Sequence, residues 1–427
     1  MPHAYCAIDF GTSNSAIALP QPSGHVSLVE VEPGQRTMPT AVFYTLEGTS
    51  PHEDPRRLYG RPALAAYIEG HDGRLMRSMK SVLGSSLIDQ GTDVGGGRSV
   101  RFLDVIAGYL RHLKSLAEAQ AGQKLKRAVI GRPVYFVDDD PARDAKAQAA
   151  LEQAARQVGF AEVSFQYEPI AAALDFESTV DHEQLVLVAD IGGGTSDFSL
   201  VRVGPARRAR VDRADDILAN HGVHIAGTDF DRHVELAAIL PLAGFKARGP
   251  APAEREVPSK VYFDLATWHL INTVYTPARV MELRRMRSFY ADPALHARLM
   301  AIVEHRLGHA LMAQAEAAKI TVADGQDAHI ALDALARGLA ATLAEPQALA
   351  AIEADLERIV QAGIETARLA GVAPERVEAV YLTGGSTGLA PLARRIAAPF
   401  HTARTVRGDR LASVAQGLGL HAQRVFT

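Results

Sequence analysis

The stretch Leu185–Val201, LVLVADIGGGTSDFSLV, decides how this chain is read. Five apolar residues run into Asp190, and after Ile191 come Gly192, Gly193 and Gly194, then Thr195 and an alternating segment Asp197–Val201. The leading run has strand length and β-branched content. Successive glycines admit positive φ and let a ligand approach the main chain closely. Backbone N–H groups in such a turn form a nest for phosphate oxygens. A carboxylate at the strand end beside that nest calls for a cation, so Asp190 is read as facing Mg2+. A glycine-rich hairpin that holds no ligand is the competing reading of this segment taken alone.

The same pattern occurs a second time. Tyr5–Leu19, YCAIDFGTSNSAIAL, gives a short apolar run, then Asp9, then the turn Gly11, Thr12, Ser13 and Asn14, then an alternating strand. Two such hairpins about 180 residues apart predict two similarly built lobes, each offering a phosphate-facing turn. One nucleotide held between the two turns is the economical interpretation. Here the sequence resembles the actin-like ATPase superfamily, and within it the DnaK-type heat-shock chaperones. The resemblance implies an α/β fold of two ribonuclease-H-like lobes with two inserted subdomains, the second enlarged and helical. Lobe I is expected over 1–182 plus 401–427, with a small subdomain inserted at about 37–99. Lobe II is expected over 183–400, with a helical insertion at about 229–350.

Composition allows this. At 427 residues and 47% hydrophobic, the chain can bury large cores. A net charge of −4 speaks against a general nucleic-acid-binding surface. The single cysteine, Cys6, lies in the first apolar strand, which excludes internal disulfides and CxxC zinc sites. The start of the chain has no basic segment followed by an apolar core of signal length, and no apolar run approaches a membrane span. A soluble, cytoplasmic protein without membrane contact is expected.

Further segments extend the likeness. Gly34-Gln35-Arg36-Thr37-Met38-Pro39-Thr40 resembles the chaperones' N-R-T-T-P-S stretch, with Met38 replacing a threonine. Arg77–Gly84 resembles their K-x-x-x-G element, which implies that the Lys80 ammonium faces the γ-phosphate. Arg132–Phe136 is similar to V-P-A-Y-F, whose proline is linked to communication between domains. Phe165–Ala173, FQYEPIAAA, resembles N-E-P-T-A-A-A and implies Glu168 as a water or metal orienter beside Asp9 and Asp190. Its residues also read plainly, as a carboxylate at a strand-to-helix junction, proline in the first turn and an alanine face for close packing. Gly222–Asp231 resembles L-G-G-E-D-F-D, placing Gly227 near nucleotide. Glu316-Ala317-Ala318-Lys319 resembles E-x-A-K, whose Glu and Lys hydrogen-bond adenosine, but Ile320 follows where the chaperones have an adenine-stacking arginine.

Val377–Thr383 reads as a strand entering Gly384-Gly385-Ser386-Thr387-Gly388. Literally this is the G-x-S-x-G of a serine hydrolase, and Ser386, Asp409 and His421 follow in hydrolase order. The acid and base fall in the last turns of the chain with too little sheet between them, so the reading is set aside. The G-G-S-T turn of actin-like ATPases matches better and implies that Gly384, Gly385, Ser386 and Gly388 contact nucleotide. Gly388 stands where a second adenine arginine is usual. Leu411–Leu420 resembles the closing A-x-G-A helix.

Hydrophobic spacing predicts helices over Ser99–Ala119 and Pro141–Val158, and long helices over Phe263–Met286 and Leu295–Ile320. His305 and His309 share a helical spacing that can ligate zinc, but no third ligand follows, so the pair is read as structural. No Walker motif occurs. The chaperones continue into a peptide-binding domain, and here nothing follows Thr427. The expectation is therefore a member of the nucleotide-binding domain alone, similar to YegD-type proteins in Leu265–His269. It would bind ATP or ADP with Mg2+ and hydrolyse ATP slowly, with Lys80, Glu168, Asp190 and Thr195 catalytic and Asp9, Asp190 and Glu168 on the metal side. A protein partner or client is expected on the enlarged helical subdomain. The alternatives are a nucleotide-dependent binding module with little turnover and, behind it, a small-molecule kinase, for which no acceptor-facing aspartate is evident.

Overall fold

A computed structural model describes residues 4–21, 24–46, 56–95, 97–137, 140–252, 254–408 and 413–426. They form two compact units, one drawn from 1–223, 361–387 and 396–427, the other from 224–360 and 388–395.

The first unit contains two sheets built on one plan. In one sheet, Tyr5–Phe10 pairs antiparallel with Asn14–Pro20, which pairs with Val26–Leu28. On its other side Tyr5–Phe10 runs parallel to Arg127–Arg132, which runs parallel to Glu162–Tyr167. In the other sheet, Gln184–Ile191 pairs antiparallel with Ser196–Val203, which pairs with Ile217–Val223. Its other side runs parallel to Ala379–Thr383, then Arg404–Arg407. The duplicated hairpins thus occupy equivalent places in equivalent sheets.

Up to their aspartates the leading strands carry apolar runs, Tyr5–Ile8 and Leu185–Ala189, because both faces are covered. Cys6, Ile8 and Phe10 join a core with helix Phe102–Ala121, while Tyr5 and Ala7 point the other way. That second face shares one core with Val186, Val188 and Tyr381 of the other sheet. Between them lie the helices Glu168–Glu177 and Ser413–Phe426, represented in that core by Ala171, Ala172, Leu418 and Ala422. A Cβ on Gly417 would lie 1.8 Å from the Ala171 carbonyl oxygen, so the two helices cross with their backbones in contact. The alanine run and the A-x-G-A pattern serve this approach. Asp409, Leu411 and Ala412 lie outside the described residues.

Helix Phe102–Ala121 starts later than its spacing predicts, because Arg98–Arg101 is a strand paired with Gly91–Gly95. The second unit departs further from expectation. The continuous helix expected over Phe263–Met286 is divided into Lys260–Leu265, Ile271–Val274 and Pro277–Arg285. Pro277 forces the preceding Thr276 into extended backbone (φ −64°, ψ 142°). The second long helix is Pro293–Glu304 followed by Gly308–Ala323, broken at Arg306, whose φ is 52°. His305 and His309 consequently lie on different elements. His309 packs against Trp268 and faces Asn272 Oδ1 at 3.3 Å. No described helix is long and apolar enough to cross a membrane.

Candidate functional site

Each hairpin turn is tight for a visible reason. A Cβ on Gly11 would lie 2.2 Å from the Asn14 carbonyl oxygen, so no other residue closes this turn without displacing the backbone. Thr40 braces it from outside: its N–H donates to Ser13 O (2.9 Å) and its hydroxyl to Gly11 O (2.8 Å), with Ser15 Oγ also at 2.8 Å. Gly11, Thr12 and Ser13 are half-buried and Asn14 is exposed. The second turn closes through Gly192 N–H donating to Thr195 O (3.0 Å). Ser386 Oγ donates to Gly192 O (2.8 Å), and Thr195 Oγ1 donates to Asp197 Oδ2 (2.8 Å).

The two turns come together within the first unit. A Cβ on Gly193 would lie 2.7 Å from Ser13 Oγ. Gly384, at φ 85°, lies against the end of the second leading strand, where a Cβ would meet Ile191 O at 2.4 Å and Asp190 Oδ1 at 2.5 Å. Asp9 and Asp190 both stand one residue before their strand ends, opposite Ala16 and Asp197 respectively.

Lys80, on a 3-10 turn over Met79–Val82, is buried and donates to Glu168 Oε1. Glu168 opens its helix, where the macrodipole favours a carboxylate. Burial pushes the Asp9 carboxyl up to about 8; Glu168 and Asp190 add to the effect and Lys80 opposes it. Burial pushes Asp190 up to about 7, with Asp197 and then Glu168 adding and Lys80 again opposing. Four carboxylates and one ammonium therefore share a field that penalises negative charge and favours any cation entering it. Among the described residues no three Asp, Glu, His or Cys side chains are placed to hold a metal between them. Glu168 is engaged by Lys80 instead. Mg2+ keeps several waters and uses one or two carboxylates plus phosphate oxygens, so the Asp9–Asp190 pair fits such an ion.

Residues 5–236 match the family model described as Hsp70 protein. The chain belongs to the Hsp70 family. The chaperone proteins DnaK of Thermotoga neapolitana and Thermosipho melanesiensis are each 33% identical to it over 229 residues, and that of Thermotoga maritima 32%. These matches cover 53% of this chain and 34% of each relative, so the chain matches about a third of their length. The duplicated sheets are those of the two-lobed actin-like ATPase fold of Hsp70 nucleotide-binding domains. Hsp70 proteins are ATPases that bind ATP or ADP with Mg2+, and bind client proteins. The matched segment holds both turns, Lys80, Glu168 and Gly227, and ends before Glu316.

The other residues that the sequence expectation placed at the nucleotide lie in the second unit, apart from Gly384, Gly385 and Ser386, which belong to the first. Lys319 Nζ donates to Gly227 O (3.2 Å) and pairs with Asp231 at 2.6 Å. Burial pushes Asp231 up to about 6, against the pull of Lys319. Glu316 is exposed on the same helix, Ile320 is 52% exposed, and Gly388 is buried. Ser386 and His421 have separate partners: the serine bonds Gly192 O, while His421 is buried and accepts from Gln166 Nε2 (3.1 Å) at Nδ1. That leaves no hydrolase dyad. Sequence reasoning missed Thr40, Asp197 and Asp231. For Asp197 a signal existed, since an acid seven residues past Asp190 returns opposite it in a hairpin of this length.

Proposed function

We propose that this Hsp70-family chain binds Mg-ATP at the paired turns of its first unit and hydrolyses it slowly. The observation that carries the reading is the shared field of Asp9, Asp190, Glu168 and Lys80 beside two glycine turns that approach within side-chain contact. Phosphoryl transfer needs positioning and charge stabilisation more than covalent chemistry. The N–H groups of Gly11–Asn14 and of Gly193–Thr195 would cradle the phosphates, with Gly192 closing the second turn. Glu168, fixed by Lys80, would orient a water whose oxygen bonds to the γ-phosphorus as the bond to the ADP oxygen breaks. The Lys80 ammonium would stabilise charge on the transferring group, and the Thr195 hydroxyl would do so by turning its proton from Asp197 to a phosphate oxygen. When bound, Mg2+ would supply charge neutralisation at the phosphate oxygens, with Asp9 and Asp190 as the carboxylates that hold its water shell. The adenosine-side roles of Gly227, Glu316, Lys319 and Gly388, and the narrower likeness to YegD-type proteins, belong to the same proposal by resemblance.

Calorimetric titration with ATP and Mg2+, followed by single-turnover hydrolysis, tests it. Saturable heat with phosphate release is expected. No heat at millimolar nucleotide overturns the reading. Ile320 and Gly388, standing in place of the adenine arginines, favour a second reading as a nucleotide-dependent binding module. Tight ATP binding without turnover selects that one.

A further inference from the structure

Behind the Gly11–Asn14 turn lie three hydroxyls shut off from water, with Tyr109 0% exposed, Ser15 1% and Thr40 1%. Tyr109 comes from the middle of helix Phe102–Ala121, Ser15 from the strand leaving the turn, and Thr40 from just past Met38–Pro39. Without water as a partner, their protons can be assigned one at a time. The Thr40 hydroxyl donates to Gly11 O (2.8 Å). The Tyr109 hydroxyl donates to Pro39 O (3.0 Å), with Met38 O behind it at 3.3 Å. Burial pushes the Tyr109 phenol up, with the Ser15 and Thr40 hydroxyls opposing, so it keeps the proton it donates. Ser15 Oγ lies 2.8 Å from Thr40 Oγ1, whose own proton is already on Gly11 O, so Ser15 is the donor there.

Tyr109 thereby holds the turn from two sides. Its ring packs against Phe10, the residue between Asp9 and Gly11, with centroids 6.0 Å apart. Its hydroxyl fixes the carbonyl of Pro39, and the next residue, Thr40, fixes two carbonyls of the turn. The Thr40 N–H donates to Ser13 O (2.9 Å), and its hydroxyl to Gly11 O. The peptide bonds of the turn are trans, so each C=O points opposite to the N–H that follows it. Tethering Gly11 O and Ser13 O on the Thr40 side turns the N–H groups of Thr12 and Asn14 to the other side. Hydrogen bonds weaken steeply as they bend, so a peptide unit that rotates carries its N–H off a phosphate oxygen.

We infer that Tyr109 is a positioning residue for nucleotide phosphate, aiming the Thr12 and Asn14 N–H groups through Pro39 and Thr40. The inference rests on the phosphate site proposed above. Its test is Tyr109→Phe, which removes the hydroxyl and keeps the ring on Phe10. Calorimetry supplies the Kd for Mg-ATP, and single-turnover hydrolysis at saturating ATP supplies the rate. An N–H bonded to phosphate before and during transfer contributes to both states alike. Kd is therefore expected to rise about three- to tenfold, with the saturated rate within about twofold. Tyr59→Phe, whose ring lies 6.3 Å from that of Tyr109 but outside the hydroxyl set, should leave both values at wild type. In a Thr40→Val background, Tyr109→Phe should add less than about twofold, because both act through Thr40. The full loss in that background overturns the relay. So does a wild-type Kd in Tyr109→Phe with only the melting temperature lowered, which would mark a purely structural hydroxyl. If Thr40→Val does not fold, Tyr109→Phe against Tyr59→Phe decides. No heat from the wild-type chain with Mg-ATP overturns the site and this inference together; wild-type binding with an unaffected variant overturns this inference alone.

Discussion

The two hairpins of the first unit have the same strand order and an aspartate at the same place, yet each is braced by different means. The Gly11–Asn14 turn leans on Thr40, from the short strand Met38–Pro39 and its exit. The Gly192–Thr195 turn leans on Ser386, nearly two hundred residues away, and on its own Asp197. The electrostatics differ accordingly: Asp190 has a carboxylate across the ladder where Asp9 has Ala16. Duplication accounts for the backbone; the supports were recruited separately. The turn chemistry is thus common to both halves, and the fine placement of each is local.

Four experiments break or sharpen that contrast. The largest effect is expected at Lys80, the cation both aspartates feel. Lys80→Ala should lower single-turnover ATP hydrolysis by about 10²–10³ while nucleotide affinity is largely kept, as for loss of one transition-state donor. Hydrolysis at the wild-type rate would remove Lys80 from the chemistry.

Next is His421, on the helix that packs in the core shared by both sheets and bonded to Gln166 of the first. Burial, helped by Arg424 and Arg213, pushes this imidazole down to about 4. The unfolded chain takes up the proton near 6.5, so stability is intact above that pH and falls as pH drops toward 4, by at most about 3 kcal/mol. Urea unfolding near pH 7 and near pH 4.5 should show this loss, and His421→Gln should flatten it. An unchanged acid limb in the variant assigns the loss to other groups.

Gly417→Ala tests what the two halves share, since its methyl would intrude on Ala171 O. A destabilisation of about 1–3 kcal/mol is expected in the urea midpoint, as for overpacking. A smaller cost would mean that the helices separate easily. The braces come last. Thr40→Val should cost about 1–2 kcal/mol and Ser386→Ala about 1 kcal/mol, because Thr40 serves both Gly11 O and Ser15 while Ser386 serves only Gly192 O. Equal costs would erase the contrast between the turns.

Much of the first unit was legible because its signals are local. An apolar run, an aspartate and glycines at fixed offsets declare a strand and a turn, and Glu168-Pro169 declares a helix start. Thr40 was not legible, since a threonine after proline looks like any loop exit until strand pairing brings Ser13 beside it. Nor was the division at Thr276–Pro277 used, although the proline was in plain view; apolar periodicity across it outweighed the break.

The crossing at Gly417 and Ala171 works as a rivet. With backbone pressed on backbone, the helices Glu168–Glu177 and Ser413–Phe426 have no side-chain cushion over which to slide. Sliding of one helix along the other is therefore opposed by backbone contact at that point. Glu168 lies within one turn of that crossing, so the carboxylate is held by the same contact that fixes the two helices.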